Sequence, residues 1–436
     1  MAFPSVKRFG VGVCLAIGVG VIAASSLDAG SAAVDEHVVT QVEPQLAAAD
    51  NTFGLKLFAA LQKHDSAKNV FISPSSVALA LAMVYNGAGT TTKDAMAATL
   101  GLQGMTIADV NKANSDLIAV LQNPDPKVKL TIADSLWVRS GFSIKDNFAQ
   151  RLQQSYGARL TNLDFASPAA PATINRWVSD ATYKKIPTIV DKISPDEMLF
   201  LINAIYFNGT WTRQFDPKDT SPGPFTLADG KEIRTFVMPG PTPSTGAWYR
   251  LAEGTRIQTP MMHQRGWYSY TSNDKFQAIR LPYGSERLAL YVFLPSPGSS
   301  VKELVSSMDS ATWDQWIKQL HGNEGTISLP RFKTEYSATL NDALAALGMG
   351  IAFDATRADF SGISEKQVWI STVKHKTYLD VNELGTEAAA VTSIGMSATA
   401  MPTNPFNMVV DRPFVLAIRD DTSGAILFSG AIQDPR

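Results

Sequence analysis

One cysteine, Cys14, is all that this 436-residue chain contains, and it lies inside an early apolar run. The remainder can form no disulfide, so the fold must hold by packing alone, which a chain of this size can do. Charge of one sign is lacking too: 38 Lys and Arg stand against 40 Asp and Glu, a formal net charge of −2. Without a basic stripe there is no field to grip a phosphate backbone, and nucleic acid is excluded as a partner. The five histidines, His37, His64, His263, His321 and His375, are too far apart to form a local metal motif, and neither a metal nor another cofactor is expected. Also absent are the G-x-S-x-G elbow, H-E-x-x-H, the phosphate loop G-x-x-x-x-G-K-[ST] and the dinucleotide fingerprint. A hydrolase whose Ser, His and Asp meet only in space leaves no such trace and stays open as a minor alternative. No repeat or low-complexity linker marks a seam, so the length reads as one domain rather than two or three.

What is present begins at the N-terminus. Lys7 and Arg8 precede the apolar stretch from Phe9 to Ala24, and Ala29, Gly30, Ser31, Ala32 and Ala33 follow. That order of charge, apolar core and small residues predicts a secretory signal over residues 1–33, hence a secreted protein, extracellular or periplasmic. The stretch falls short of the ~20 residues of a spanning helix, and no membrane association is expected. Val13 before Cys14 lacks the small side chain of a lipidation box. Residues 34–50 are expected to form a flexible extension and residues 51–436 a single domain.

Ser73 and Pro74 read as N-cap and first residue of a helix that is apolar on every side from Val77 to Val84 and stopped by Asn86 and Gly87, so this helix should be buried. Leu201 to Phe207 and Leu288 to Leu294 read as strands covered on both faces. Arg331 to Gly350 reads as a strand followed by a helix over Ala338 to Leu347, closed by Gly348. Phe414 to Ile418 and Ala425 to Ser429 read as a hairpin. Helices early and strands late favour an α+β domain.

From Val373 to Asn382 the residues alternate. Val373, His375, Thr377, Leu379 and Val381 share the apolar face, which places His375 inside and in need of a hydrogen-bonding partner. Next comes Glu383-Leu384-Gly385-Thr386-Glu387-Ala388-Ala389-Ala390-Val391-Thr392, and from Ala388 through Val410 no residue is charged. Taken as a strand, Thr386, Ala388, Ala390, Thr392, Ile394 and Met396 fall on one face, all small or apolar, while Glu387 falls on the other. Such a segment can be a surface loop, and it can also enter a sheet without burying a charge on its inward face.

Several runs occur in a fixed order: Asn69-Val70-Phe71-Ile72-Ser73-Pro74, Leu201-Ile202-Asn203-Ala204-Ile205-Tyr206-Phe207-Asn208-Gly209-Thr210-Trp211, Pro260-Met261-Met262, Leu329-Pro330-Arg331-Phe332-Lys333, Ala358-Asp359-Phe360-Ser361-Gly362, Asp411-Arg412-Pro413-Phe414 and Leu427-Phe428-Ser429-Gly430. Together they resemble the serpin family of serine protease inhibitors over roughly Phe53 to Pro435. The resemblance implies the serpin fold: helices packed around a large mixed sheet A plus two smaller sheets, with an exposed reactive-centre loop at about residues 383–405. In that family the loop is bait. A serine protease attacks it and forms an acyl-enzyme, and the cut loop then inserts into the large sheet and carries the protease to the far pole, where its active site is distorted.

The same resemblance implies site residues. Glu383, Gly385, Thr386, Glu387, Ala388, Ala389, Ala390, Val391 and Thr392 form the hinge, whose lack of inward bulk points to an inhibitor; Leu384 departs from the charged residue often found there. Ser73, Ser76, Asn203 and His375 map to the polar cluster that governs opening of the sheet, and Trp211 to the place where insertion begins. Counting from the hinge puts the reactive bond at Thr399/Ala400, with Ala398/Thr399 or Ala400/Met401 as alternatives. A cut after Met401 would leave Pro402, which lacks the N–H of an ordinary leaving amide. Small residues beside the bond fit a serine protease with a small apolar specificity pocket, elastase-like or subtilisin-like. No Lys or Arg lies between Glu387 and Arg412, which disfavours trypsin-like targets.

The expected partner set is therefore one protease in covalent complex, from a monomeric inhibitor that is not itself an enzyme. The segment Leu102 to Leu130 holds only Lys112, Lys127 and Lys129 as basic residues, so no glycosaminoglycan is expected. Residues 239–254 resemble an insertion, read as a surface loop from their Pro, Gly, Thr and Ser content. Asn208-Gly209-Thr210 is a glycosylation sequon that abuts a buried strand. The alternative within the family is a non-inhibitory serpin, a carrier or chaperone, cut only as a substrate.

Overall fold

The computed structural model describes residues 43–122, 125–228, 231–237, 247–386 and 405–436. Its helices are α1 Pro44–His64, α2 Pro74–Tyr85, α3 Thr90–Leu100, α4 Ile107–Gln122, α5 Asp146–Tyr156, α6 Ala170–Ala181, α7 Val301–Ser306, α8 Ser310–Lys318 and α9 Asn341–Leu344. The strands of the first half are β1 Val70–Ile72, β2 Val128–Arg139, β3 Arg159–Leu163, β4 Leu199–Thr210, β5 Ser221–Thr226, β6 Lys231–Val237 and β7 Ala247–Glu253. Those that follow are β8 Arg256–Ser272, β9 Phe276–Pro282, β10 Leu288–Pro295, β11 His321–Pro330, β12 Phe332–Thr339, β13 Ile370–Asn382, β14 Gly385–Thr386, β15 Phe406–Val409, β16 Phe414–Asp420 and β17 Ile426–Ile432.

One sheet runs β12-β13-β14-β4-β2-β3 and mixes parallel with antiparallel pairs. A second runs β1-β17-β16-β10-β9-β8-β11-β15, with β5 added on β8. The 17-residue β8 serves two regions of this second sheet, so they form one continuous ladder. The pair β6–β7 stands as a two-stranded sheet of its own.

Helix α2 explains why its sequence is apolar on every side. It packs on β17 of one sheet and on β2 and β4 of the other, and all its residues are buried. A helix enclosed by two sheets has no solvent face to mark with polar residues. On the opposite face of the six-stranded sheet, α6 sets Ile174 and Val178 against Trp137, Phe200, Ile202 and Ala204.

Three expectations are corrected. Residues 44–50 do not belong to a flexible extension: they open α1 with Pro44 in its first turn, and Leu46, Ala47 and Ala49 are buried. The apolar stripe of the helix continues to Leu61, so its first turns have a core to pack on. The strand after Arg331 persists through Thr339, because Ala338 pairs with His375 and Thr339 with Lys374; the helix starts only at Asn341, and Gly348, at φ 117°, turns the chain beyond it. Within the 239–254 insertion, Ala247–Glu253 is a strand paired with Lys231–Val237 rather than a loop, as its Trp248, Tyr249 and Leu251 allow.

Candidate functional site

The two central strands of the six-stranded sheet differ along their length. β13 and β4 pair directly, in parallel, from Ile370 opposite Leu199 to Tyr378 opposite Tyr206. Above Tyr378 they part, and β14 sits between them. Gly385 and Thr386 pair with Asn382 and Val381 on one side and with Thr210 and Gly209 on the other. The chain therefore leaves β13, turns through Glu383 and Leu384, and enters its own sheet as a two-residue central strand.

Each residue of that turn is held. The Trp211 backbone N–H donates to the Leu384 carbonyl at 3.0 Å and the Phe215 N–H to the Glu383 carbonyl at 2.9 Å. The Trp211 indole N–H donates to the Asn382 carbonyl at 2.9 Å, and its ring stacks on Tyr283 with centroids 4.4 Å apart. The Tyr283 and Thr386 hydroxyls are hydrogen-bonded at 2.6 Å, both fully buried. Glu383 accepts from the Thr220 hydroxyl at 2.8 Å and faces Arg331 at 3.6 Å. Gly385 is required here, since at φ 152° any Cβ would overlap the Gly209 carbonyl oxygen.

Lower in the sheet the strands are tied by a polar rung. Asp134 of β2, Asn203 of β4 and His375 of β13 lie opposite one another on three adjacent strands. Ser73, the N-cap of α2, donates its backbone N–H to His375 Nε2 at 3.1 Å. That nitrogen must be unprotonated, so Nδ1 carries the hydrogen and donates to Asn203 Oδ1 at 2.5 Å. Asn203 Nδ2 then serves the Ser76 carbonyl at 3.0 Å, the Ser76 hydroxyl at 2.5 Å and Asp134 Oδ1 at 2.5 Å. Burial pushes His375 down to about 3, so the ring is neutral. Burial also raises the Asp134 carboxyl, to about 7, against the lowering effect of its bond from Asn203. One rung higher, the Thr377 hydroxyl donates to the Phe71 carbonyl at 2.5 Å.

The structure thus brings Ser73, Ser76, Asn203 and His375 into one cluster and sets Trp211 beside the hinge. Glu383, Gly385 and Thr386 occupy the top of the sheet. Glu387, Ala388, Ala389, Ala390, Val391 and Thr392 of the expected hinge, and Ala398, Thr399, Ala400 and Met401 around the expected reactive bond, lie outside the described residues. So does the expected signal segment 1–33. Asp134 and Tyr283 were not found from sequence. Asp134 is the one carboxylate in the run from Leu130 to Val138, a detectable signal, but its partner is 69 residues away. Tyr283 carries no such mark. For a hydrolase, His263 lies between the Ser328 hydroxyl at 2.8 Å and the Ser221 hydroxyl at 3.4 Å, with no carboxylate against it among the described residues.

Comparison with known proteins agrees with this geometry. The family model described as Serpin (serine protease inhibitor) matches residues 48–435. The leukocyte elastase inhibitor of Homo sapiens is 34% identical over 404 residues, covering 90% of this chain and all of that one. A serpin-like protein of Methanosarcina acetivorans is 31% identical over 410 residues, covering 89% and 88%. Among solved structures, the thermophilic serpin tengpin in its native state superposes with a TM-score of 0.79 at 30% identity, over 90% of this chain and 95% of that one. Human thyroxine-binding globulin in complex with thyroxine gives 0.78 at 26% identity, over 89% and 98%. The chain belongs to the serpin family. It has the serpin fold and is a member of a family of protease inhibitors, not an enzyme.

Proposed function

We propose that the protein is a secreted suicide inhibitor of serine proteases that traps the acyl-enzyme by drawing its cut loop into the six-stranded sheet. The observation that carries this reading is β14. Its two residues already form a central strand between β13 and β4, and the residues that follow Thr386 are Glu387-Ala388-Ala389-Ala390-Val391-Thr392. Extending β14 downward needs β13 and β4 to separate one rung at a time, and each new inward residue of the loop is small or apolar. Cutting the loop removes the tether to β15, after which backbone hydrogen bonds on both edges favour insertion.

Small residues around Thr399 and Ala400 support an elastase-like or subtilisin-like target, and the likeness to leukocyte elastase inhibitors points the same way. The order of residues within 1–33 supports export. Incubation with pancreatic elastase tests the proposal. An SDS-stable complex, with the cut mapped to Thr399/Ala400 by mass spectrometry, is expected. Clean cleavage without lasting loss of protease activity points instead to a non-inhibitory carrier. The cut chain should also melt more than about 10 °C higher than the intact one, a gain that several kcal/mol of new strand pairing supplies at this chain length.

A further inference from the structure

β2 has two unlike halves. From Ser135 to Arg139 its outer edge pairs with β3, whereas from Val128 to Asp134 only its inner edge is paired, with β4. Thr210 N–H donates to the Lys127 carbonyl and Arg139 N–H to the Met198 carbonyl, so in this antiparallel ladder odd-numbered residues bond inward. The N–H and C=O groups of Leu130 and Ile132 and the N–H of Asp134 therefore face the open side, unbonded by any other group among the described residues, whereas the Asp134 C=O accepts from β3 at Arg159. They line a cleft of about 610 Å³, walled by Ile118 and Leu121 of α4 and by Trp177 of α6.

Asp134 is one of the residues that line the same cleft, and its carboxylate is part-buried there. One of its oxygens takes the Asn203 bond, and no cation pairs with the carboxylate among the described residues. Of the charged and titratable groups packed around it, Lys129 on β2 lies over the Tyr183 ring at 3.7 Å. Arg159 on β3 lies over the Trp137 ring at 5.2 Å. Tyr156 comes from α5, and His375, across Asn203, is neutral. Both cations are thus drawn to aromatic faces.

We propose that this cleft is a binding site for a small organic cation, a protonated amine on a flat aromatic or branched apolar body. The ammonium donates to the free oxygen of Asp134 and to the outward carbonyl of Ile132, and the body lies against Ile118, Leu121 and Trp177. An anion is disfavoured by the carboxylate, and a neutral body leaves the half-buried carboxylate without a counter-charge. The ligand also reaches the rung, because an ionised, occupied Asp134 holds Asn203, and Asn203 must let go of His375 before β4 and β13 can part. This second consequence rests on the insertion mechanism proposed above; binding itself does not.

The test uses intact, uncut protein with no protease present, so its failure is separate from failure of the inhibitor reading. Tryptamine, its isosteric alcohol tryptophol and indole-3-acetate are titrated by calorimetry at pH 8 and at pH 5.5. Tryptamine is expected to bind at least tenfold more tightly than either analogue at pH 8 and to lose that preference at pH 5.5, where Asp134 is protonated. Asp134→Asn should abolish the preference. Ile118→Trp, which fills the cleft without touching the carboxylate, should abolish binding, so misfolding of the Asp134→Asn variant would not leave the question open. Equal affinity for tryptamine and tryptophol, or tryptamine binding unchanged in a folded Ile118→Trp protein, would overturn the site.

Discussion

The upper and lower parts of the six-stranded sheet are built from the same two strands and are held in opposite ways. Above Tyr378, β13 and β4 are already apart, and Gly385 and Thr386 fill the space with backbone hydrogen bonds on both sides. Below, they are in direct register and locked by Asn203 and His375 under the N-terminus of α2. In the proposed mechanism the top is the seat for the entering strand, made for small side chains. The lower part is a closure made of neutral polar groups in a dry interior, strong while complete and costly if one member is lost. A sheet that is open at one end and latched beyond it can lengthen its inserted strand only by undoing the latch.

Thr386→Arg should have the largest effect on this contrast. An arginine at the fully buried seat would place a charge against Tyr283, and the hinge would be expelled. The uncut protein should stay folded, while SDS-stable complex with elastase falls more than tenfold and cleaved chain accumulates; undiminished complex would show that the seat is not on the insertion path. Next comes His375→Ala in the closed part. It strands the Ser73 N–H and the Asn203 carbonyl oxygen, a loss of about 2 to 4 kcal/mol, read as a lower melting temperature at fixed scan rate. Insertion after cleavage should become faster, not slower, and that opposite sign from Thr386→Arg is the discriminating result.

A smaller effect comes from pH. His375 is depressed to about 3, so between that value and its unfolded value near 6.5 the unfolded chain binds the extra proton and stability rises with pH. Asp134 is raised from 3.8 to about 7, so over that interval the folded chain holds the proton and stability falls with pH. Each slope is at most ~1.4 kcal/mol per pH unit, and between pH 4 and 6.5 they oppose. Asp134→Asn should uncover the histidine slope, and denaturation midpoints across pH 4 to 6.5 should climb more steeply than in the parent; parallel curves would remove Asp134 from the rung. The smallest change is expected from Glu383→Ala, which loses the Thr220 hydrogen bond and a 3.6 Å pairing with the half-exposed Arg331. It should shift stability by about 1 kcal/mol or less, leaving inhibition within a few-fold of the parent.

Much of this contrast is legible in the sequence. The alternation from Val373 to Val381 puts His375 inside, and Ser73-Pro74 marks the capped start of the helix above it, because both are local periodicities that burial imposes on the chain. The run from Gly385 to Thr392 shows its fitness for a strand by the absence of inward charge. Less local features were missed or misplaced. Asp134 reads as a stray polar residue until β2 is set beside β4. Residues 44–50 read as part of an extension because Leu46 is their only large apolar residue and shows no periodicity alone, whereas the core beneath Leu46 makes them helix. Trp248, Tyr249 and Leu251 were hidden among the turn-forming residues that precede them.

By itself the amino-acid order determined the buried helix after Ser73-Pro74, the central strands, the dry face that holds His375, and that one stretch is fit for two environments, since each of these follows from neighbours within a few residues. The tertiary structure alone decided that this stretch enters its own sheet at Gly385 and Thr386. It also decided that Asp134, Asn203 and His375 share a rung and that half of β2 has a bare edge. Those facts depend on groups up to 302 residues apart meeting at hydrogen-bond distance, and no local pattern encodes such a meeting.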